Sequence, residues 1–447
     1  MNAPSIIMLD TIRECFEGMV PAVLGTADLN GMPNASYLSQ VQYMDREHVA
    51  LSYQFFNKTR ANILANPNAR LTVINPHTGA QYSLALQYLR TETSGQLFET
   101  MKAKLAGLAS HAGMSNVFRL LGSDVFRVTE IVCVDRDVAP PPPPARNTLA
   151  ALRVCSERLL ACRDLAQLFD ETMACLDEKM GISHAMLLLH DAQAGCLYTV
   201  ASHGYEQSGV GSEIPLGQGV IGVAAREGTP IRISHMTSEY SYSRAIRQQA
   251  EDSGMVQALQ TEIPFPGLAE SRSQLAVPIQ GCERLLGVLY VESPQDLRFS
   301  YDDEDALVTL CGQLAMAMHI LQNVPAPEPE PEPESAPDVQ GAPLAVRHFA
   351  DNDCIFFGND YMIKGVAGAV LWALLQDFVA QGKTAFSNRE LRLDQRVRLP
   401  DVSDNLEARL VLLARRLCER EAPVRIEKTG RGHFRLCVQR PLQLAEA

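Results

Sequence analysis

The sequence predicts a multidomain α+β protein whose three folded units are separated by two proline-rich segments. Three observations carry this. The 447 residues exceed what one core serves, at about 150 residues per domain. Proline breaks the chain twice, at Pro140-Pro141-Pro142-Pro143-Pro144 and along the Pro/Glu repeat from Pro325 to Glu334. The apolar patterning also changes across both breaks. Short alternating runs precede the first, a glycine-rich block with Val/Ile/Leu runs lies between them, and helices closed by a hairpin follow the second. The units are residues 1–138, 146–323 and 345–442, with linkers at 139–145 and 324–344. The first linker is a stiff polyproline spacer. The second is a charged, extended tether that should keep its neighbours apart.

A hydrophobic fraction of 46% leaves ample core. No apolar run approaches the roughly 18 residues of a membrane span, and Met1 to Asp10 lacks the pattern of a signal peptide. A cytoplasmic protein without a membrane partner is the expectation. The 11 cysteines show no CxxC and no paired spacing, which suits reduced thiols rather than a disulfide or metal framework. The net charge is -13, yet residues 345–447 hold a small excess of Lys and Arg. The charge is thus uneven, acidic over the earlier part of the chain and mildly basic over the last unit.

In the first unit, Met8 to Val20 has apolar residues at helical spacing. Strands are expected at Ala22–Ala27, Pro33–Tyr43, His48–Phe55, Arg70–Ile74 and Val125–Val134, with Asn30-Gly31 as a hairpin turn. Helices are expected over Lys58–Ala65 and near Gly95–Ala109. Many short strands at this spacing suggest a small barrel. Thr26 to Pro33 and Asn57 to Pro67 resemble the pyridoxamine 5'-phosphate oxidase-like split barrel, which binds FMN in many members. The resemblance implies that the helix start at Asn57, Lys58, Thr59 and Arg60 holds the FMN phosphate, with Ser52 and Tyr53 on the adjoining strand. A helix N-terminus with two cations is a natural anion site. Tyr37 and Gln42 stand where the oxidases proper carry Arg and Lys, so pyridoxamine phosphate oxidation is not expected.

In the second unit, Leu149 to Met180 reads as helical, capped by Asn147-Thr148. Ile214 to Ala225 has the close glycines of a tight loop before a small-residue helix. Leu275–Ile279 and Leu285–Glu292 read as a hairpin of half-buried strands. A last helix opens at the acidic run Asp302–Asp305, which suits its macrodipole. The glycine block, the Val-Pro-Ile strand and the Gly-Val-Leu strand, in this order, resemble a GAF domain over about 146–323. The resemblance implies small-molecule sensing, with the ligand unknown, and a homodimer formed through the terminal helices. Cys196, His203, His235 and Tyr240 fall near the expected pocket loops. None has the companion residues of a bilin or haem site.

In the third unit, strand-like Cys354–Phe357 leads through a turn to a helix at Ala367–Gln381. Asn388 is expected to cap a short helix, and Asp404 a long one from Leu406 to Glu421. Val424 to Val438 alternates around Thr429-Gly430-Arg431-Gly432 as a hairpin. This order resembles the OmpR-like winged helix of bacterial transcription regulators. In that family the long helix enters the major groove and the wing touches the backbone. The resemblance implies DNA contacts from Arg409, Arg415, Arg416 and Arg420 on the helix, and from Lys428, Arg431 and Arg435 at the wing. Leu410, Leu413 and Leu417 should pack on the helix Ala367–Gln381. A protein-docking wing is the alternative.

No nucleophile, acid/base pair or metal cluster stands out. The sequence therefore reads as a cytoplasmic regulator that couples small-molecule or flavin sensing to transcription. Its rival is an FMN-dependent oxidoreductase with regulatory appendages.

Overall fold

The computed structural model describes residues 7–16, 20–54, 57–111, 119–135, 139, 147–234, 263–281, 284–323, 341–397 and 406–446. The proline run, the Pro/Glu repeat, His235, Tyr240, Asp401 and Asp404 lie outside the described residues. The chain is a mixed α/β, multidomain protein.

The first unit is one curled seven-stranded sheet with strand order β2-β1-β5-β6-β7-β4-β3. Its strands are β1 (Ala22–Ala27), β2 (Pro33–Leu38), β3 (Val41–Tyr43), β4 (His48–Tyr53), β5 (Asn68–Ile74), β6 (Gln81–Glu92) and β7 (Gly122–Asp135). The long β6–β7 pair shifts register three times, and such bulges bend a sheet toward closure. Helices α1 (Asn57–Ala65) and α2 (Gln96–His111) complete the unit. The helix expected over Met8–Val20 is instead a 3-10 segment, Leu9–Phe16. Leu9, Ile12 and Cys15 recur every third residue, which matches three residues per turn and places all three in the core.

The second unit is a six-stranded antiparallel sheet of order β10-β9-β8-β13-β12-β11. Its strands are β8 (Ala185–Asp191), β9 (Cys196–His203), β10 (Glu213–Pro215), β11 (Ile231–Ile233), β12 (Ser273–Gly281) and β13 (Arg284–Ser293). The expected helix Leu149–Met180 is two helices, α3 (Thr148–Leu160) and α4 (Leu165–Glu178). Asp164 starts the second by accepting from the Gln167 amide, and Asn147 caps the first on the Ala150 amide. These two and α6 (Tyr301–Asn323) cover one sheet face. Helix α5 (Gly219–Glu227) covers the other.

The third unit has a sheet of order β16-β15-β14-β20 and a second of order β17-β19-β18. The strands are β14 (Leu344–Phe349), β15 (Cys354–Phe357), β16 (Asp360–Ile363), β17 (Ala385–Ser387), β18 (Val424–Gly430), β19 (His433–Val438) and β20 (Leu442–Glu446). Helices α7 (Gly365–Gln381), α8 (Asn388–Leu393) and α9 (Leu406–Glu419) lie between β16 and β18 in sequence. Ser387, not Asn388, caps α8, in a reciprocal capping box with Glu390. Leu410, Leu413 and Leu417 are buried in the same apolar cluster as Val370, Leu371 and Leu374 of α7.

The units do not stand apart. Helix α2 packs on α5, and Ala103 joins the apolar cluster on that sheet face. Arg13 reaches Asp305 at 2.9 Å, and Lys104 reaches Glu304 at 3.6 Å. Helix α9 packs on α4 and β9, so the separation expected from the second linker is not met.

The glycine block before α5 has a steric cause. A Cβ on Gly222 would stand 2.4 Å from the Pro215 carbonyl oxygen. Gly222→Ala should therefore destabilise the central unit by about 1–3 kcal/mol, the usual cost of forcing atoms into a packed site. Chemical denaturation followed by circular dichroism measures this. An unshifted midpoint would show that the loop yields freely.

Candidate functional site

In the barrel, the residues assigned to phosphate divide by side-chain direction. The Arg60 guanidinium lies 2.5 Å from Asp124 and sits over the rings of Tyr53 at 4.8 Å and Tyr88 at 5.6 Å. The Thr91 hydroxyl also donates to Asp124. Burial pushes the Asp124 carboxyl above its usual range, against the pull of Thr91 and Arg60. Arg60 is thus engaged inside the barrel rather than held ready for an anion. Thr59 is buried, accepting from Asn34 at 2.8 Å and donating to Ser36 at 3.2 Å. Lys58 is exposed in the first turn of α1, and Asn57 begins that helix.

The other face of β4 holds unused polar capacity. Ala50, Ser52 and Gln54 alternate along it, and Ala50 packs with Met101 and Leu105 of α2. Ser52 and Ser123 are register partners across β4 and β7. Ser52 accepts from the Gln40 amide at 3.2 Å. Among the described residues, both polar atoms of the Gln54 side chain, the Ser123 hydroxyl and the Gln40 side-chain oxygen Oε1 are buried without a partner. Buried groups of this kind are costly unless something satisfies them. A polar, hydrogen-bonding group of flavin type fits that donor and acceptor set.

The central unit brings together a constellation not anticipated from the sequence. Glu292, 2% exposed, accepts from the Tyr205 hydroxyl at 3.0 Å, the Leu268 amide at 3.0 Å and the Tyr290 hydroxyl at 3.3 Å. The His184 ring meets Tyr205 edge-on at 5.5 Å, and Phe265 tilts against Tyr290 at 6.3 Å. Val288, Tyr290 and Glu292 alternate onto the face covered by α5. Burial, then the adjacent Glu292, push the Tyr205 phenol up, so it remains a hydroxyl donor. Cys196 is buried, which pushes its thiol up to about 11 and leaves it a poor nucleophile. His203 lies 3.5 Å from Asp177 at the surface. Among the described residues no group of three His, Cys, Asp or Glu is arranged to hold a metal. No described helix is long and apolar enough to cross a membrane.

In the third unit, the open cationic face expected on the long helix is not what the structure places there. Arg409 is 4% exposed, 2.6 Å from Asp191 of the central unit and over the Tyr198 ring at 4.0 Å. Arg415 donates to the Val200 carbonyl at 2.6 Å and to Asp170 at 2.6 Å. Arg416 is buried on the Met362 carbonyl at 3.0 Å. Each guanidinium is drawn inward because a carboxylate or carbonyl waits there, and a buried cation needs one. Arg420, 3.4 Å from Asp360, remains partly exposed. Lys428 pairs with Glu407 at 3.0 Å and Asp164 at 3.3 Å, and Arg431 donates to the Leu321 carbonyl. Arg435, half-exposed on β19, is the register partner of Glu427.

Two family models match the chain. The pyridoxamine 5'-phosphate oxidase model covers residues 8–126, and the GAF domain model covers residues 164–318. No curated protein matches. Among solved structures, a GAF domain of an Acinetobacter phosphoenolpyruvate-protein phosphotransferase is 22% identical (TM-score 0.32). The match covers 40% of this chain and 95% of that one. The free methionine-R-sulfoxide reductase of Neisseria meningitidis is 19% identical over 41% of this chain and 97% of its own, with a TM-score of 0.31. An FMN-binding protein from Syntrophomonas wolfei is 17% identical over 28% of this chain and 90% of its own, with a TM-score of 0.24. The two family models support an N-terminal pyridoxamine 5'-phosphate oxidase-like unit and a central GAF domain.

Tyr205→Phe removes one of the short bonds to the buried Glu292. It should cost about 1–3 kcal/mol, the range for stranding a buried polar group. Tyr290→Phe, at the longer distance, should cost less. Thermal unfolding of the two variants orders them, and equal losses would show that the Tyr205 bond has no special weight.

Proposed function

We propose that this chain is a sensory regulator in which the GAF unit binds a small polar molecule against Glu292 and the barrel binds FMN. The observation that carries this reading is the buried Glu292, ringed by two phenols and an amide on the α5 face of the sheet. A core has no need of a carboxyl there, whereas small-molecule sites converge a few polar groups on apolar walls. In the barrel, Gln40, Gln54 and Ser123 would hold the polar atoms of FMN, with Ser52 beside them and Lys58 toward its phosphate. The flavin would supply a redox-sensitive chromophore.

The reading extends to a DNA-binding output. Strands, three helices and a closing hairpin in that order support a winged helix in the third unit, and the arginines of α9 supply the charge. A homodimer is supported by the apolar side chains that α3 and α6 leave exposed: Leu149, Leu160, Val308, Met316 and Ile320. Such patches mark contact surfaces.

A second reading, an FMN-dependent oxidoreductase with regulatory units, is favoured by the same orphaned atoms near Ser123. The two separate on purified full-length protein mixed with FMN. Both require binding, seen as quenched flavin fluorescence, and only the oxidoreductase turns over a reduced cofactor. Lys58→Ala should weaken FMN by about tenfold, or about 1.4 kcal/mol. Failure of the wild-type chain to bind FMN at micromolar concentration removes the flavin from both readings.

A further inference from the structure

Four of the side chains assigned to DNA are held by the GAF unit. Arg409 meets Asp191, Arg415 meets Asp170 and the Val200 carbonyl, Lys428 meets Asp164, and Arg431 meets the last turn of α6 at Leu321. Lys364 adds a pair with Glu213 at 2.9 Å, and Ser208 donates to Glu419 at 2.6 Å. In the ion pairs the acids lie on the central unit and the cations on the third. Between them Leu412 and Ile363 reach Gly211, and the buried apolar cluster is continuous across the two units. A cleft of about 330 Å³ opens on one side of the seam, between α4, α9 and the hairpin. Another of about 700 Å³ opens on the other side, by Gln207 and Tyr361. The seam is therefore an apolar contact rimmed by ion pairs and flanked by open clefts.

We infer that the acidic patch formed by Asp164 at the cap of α4, Asp170 within that helix and Asp191 at the end of β8 is a docking surface for α9 and the hairpin that competes with DNA for the same cations. The inference rests on the DNA reading above and deepens it. Arg409, enclosed between Asp191 and Tyr198, has no reach to a phosphate while docked, so the arrangement described is the shut one. A short loop joins the sensor cluster to the seam. Tyr205 ties that loop to Glu292, and Ser208, three residues on, ties it to Glu419 of α9. A ligand that takes the place of Tyr205 on Glu292 favours the open state to the extent that it binds that state better.

The test breaks the seam from the GAF side and leaves every cation in place. In Asp170→Ser/Asp191→Asn, the new Asn keeps the acceptor that the Gln193 and Ala194 amides use. Small-angle scattering of the full-length variant should show a larger radius of gyration. Anisotropy with labelled genomic duplex fragments in low salt should show binding at least about tenfold tighter than wild type. The log–log salt slope should steepen by about two as Arg409 and Arg415 become available. An unchanged radius with unchanged affinity overturns the docking. An opened variant that binds duplex no better than a binding wild type overturns the competition. If the opened variant and the wild type both ignore duplex DNA, the DNA reading fails and takes the competition with it. Arg420→Ala, outside the seam, serves as the control and should leave the radius unchanged.

Discussion

The central sheet is apolar on both faces, and that constraint organises the rest of the chain. Strand β13 lies inside it, between β8 and β12, with Val288 and Tyr290 toward α5 and Leu289 and Val291 toward α3, α4 and α6. A Cβ on Gly287 would stand 2.1 Å from the Leu188 carbonyl oxygen, so β8 and β13 approach closely only because that side chain is absent. A sheet buried on both sides must be covered twice. Neither cover stays within the central unit. Ala103 of α2 joins the cluster under α5, and the cluster on the other face runs on into α7 and α9. The barrel and the third unit are therefore neighbours of the central unit through its own core, despite the proline-rich segments between them in sequence.

Charge then sets where these contacts are polar. Glu304, at the start of α6, is buried between Arg232 at 2.8 Å and Lys104 of the barrel at 3.6 Å. Burial alone would raise its carboxyl, yet the two cations hold it below its usual range. Asp191 is in the same position with respect to Arg409 and its own turn amides. Both carboxylates are of a kind whose removal is costly, because a cation would be left buried and alone. A neutral Asn at 191 softens that loss by keeping the turn acceptor, which is why the seam is better opened there than by truncation.

Much of the fold was legible in the sequence, and the losses have specific causes. The glycine block before α5, the β12–β13 hairpin and the Asn147 cap are local signals, and each lies where local chemistry put it. Strand β6 was missed although Tyr82, Leu84, Leu86 and Tyr88 alternate plainly. The alternation sits in a run without turn residues, between better marked elements. The break at Asp164 was hidden because apolar residues at helical spacing continue across it. At the sites, the arginines of α9 read as an open basic face because their partners are remote in sequence. Asp191 is 218 residues from Arg409, and Asp170 is 245 from Arg415. Glu292 was invisible for the opposite reason. A single acid at a strand end reads as a solvated edge, and only the meeting of Tyr205, Leu268 and Tyr290 gives it a role.

The distance between sensor and seam is short in structural terms. Strand β8 follows directly on His184, whose ring touches Tyr205 and whose carbonyl accepts the Glu292 amide, and ends at Asp191, which holds Arg409. Seven residues of strand span about 23 Å, a rigid lever rather than a soft path. The loop after β9 offers a second connection through Tyr205 and Ser208. Its bend depends on Gly204, Gly209 and Gly211, all in the left-handed region. A rigid strand fixes where the docking acids stand, and a glycine-rich loop is what can move between them. Under the proposed reading, a ligand that displaced the Tyr205 hydroxyl from Glu292 would act on α9 through this loop, by way of Ser208, whereas β8 is held by its hydrogen-bonded neighbours β9 and β13.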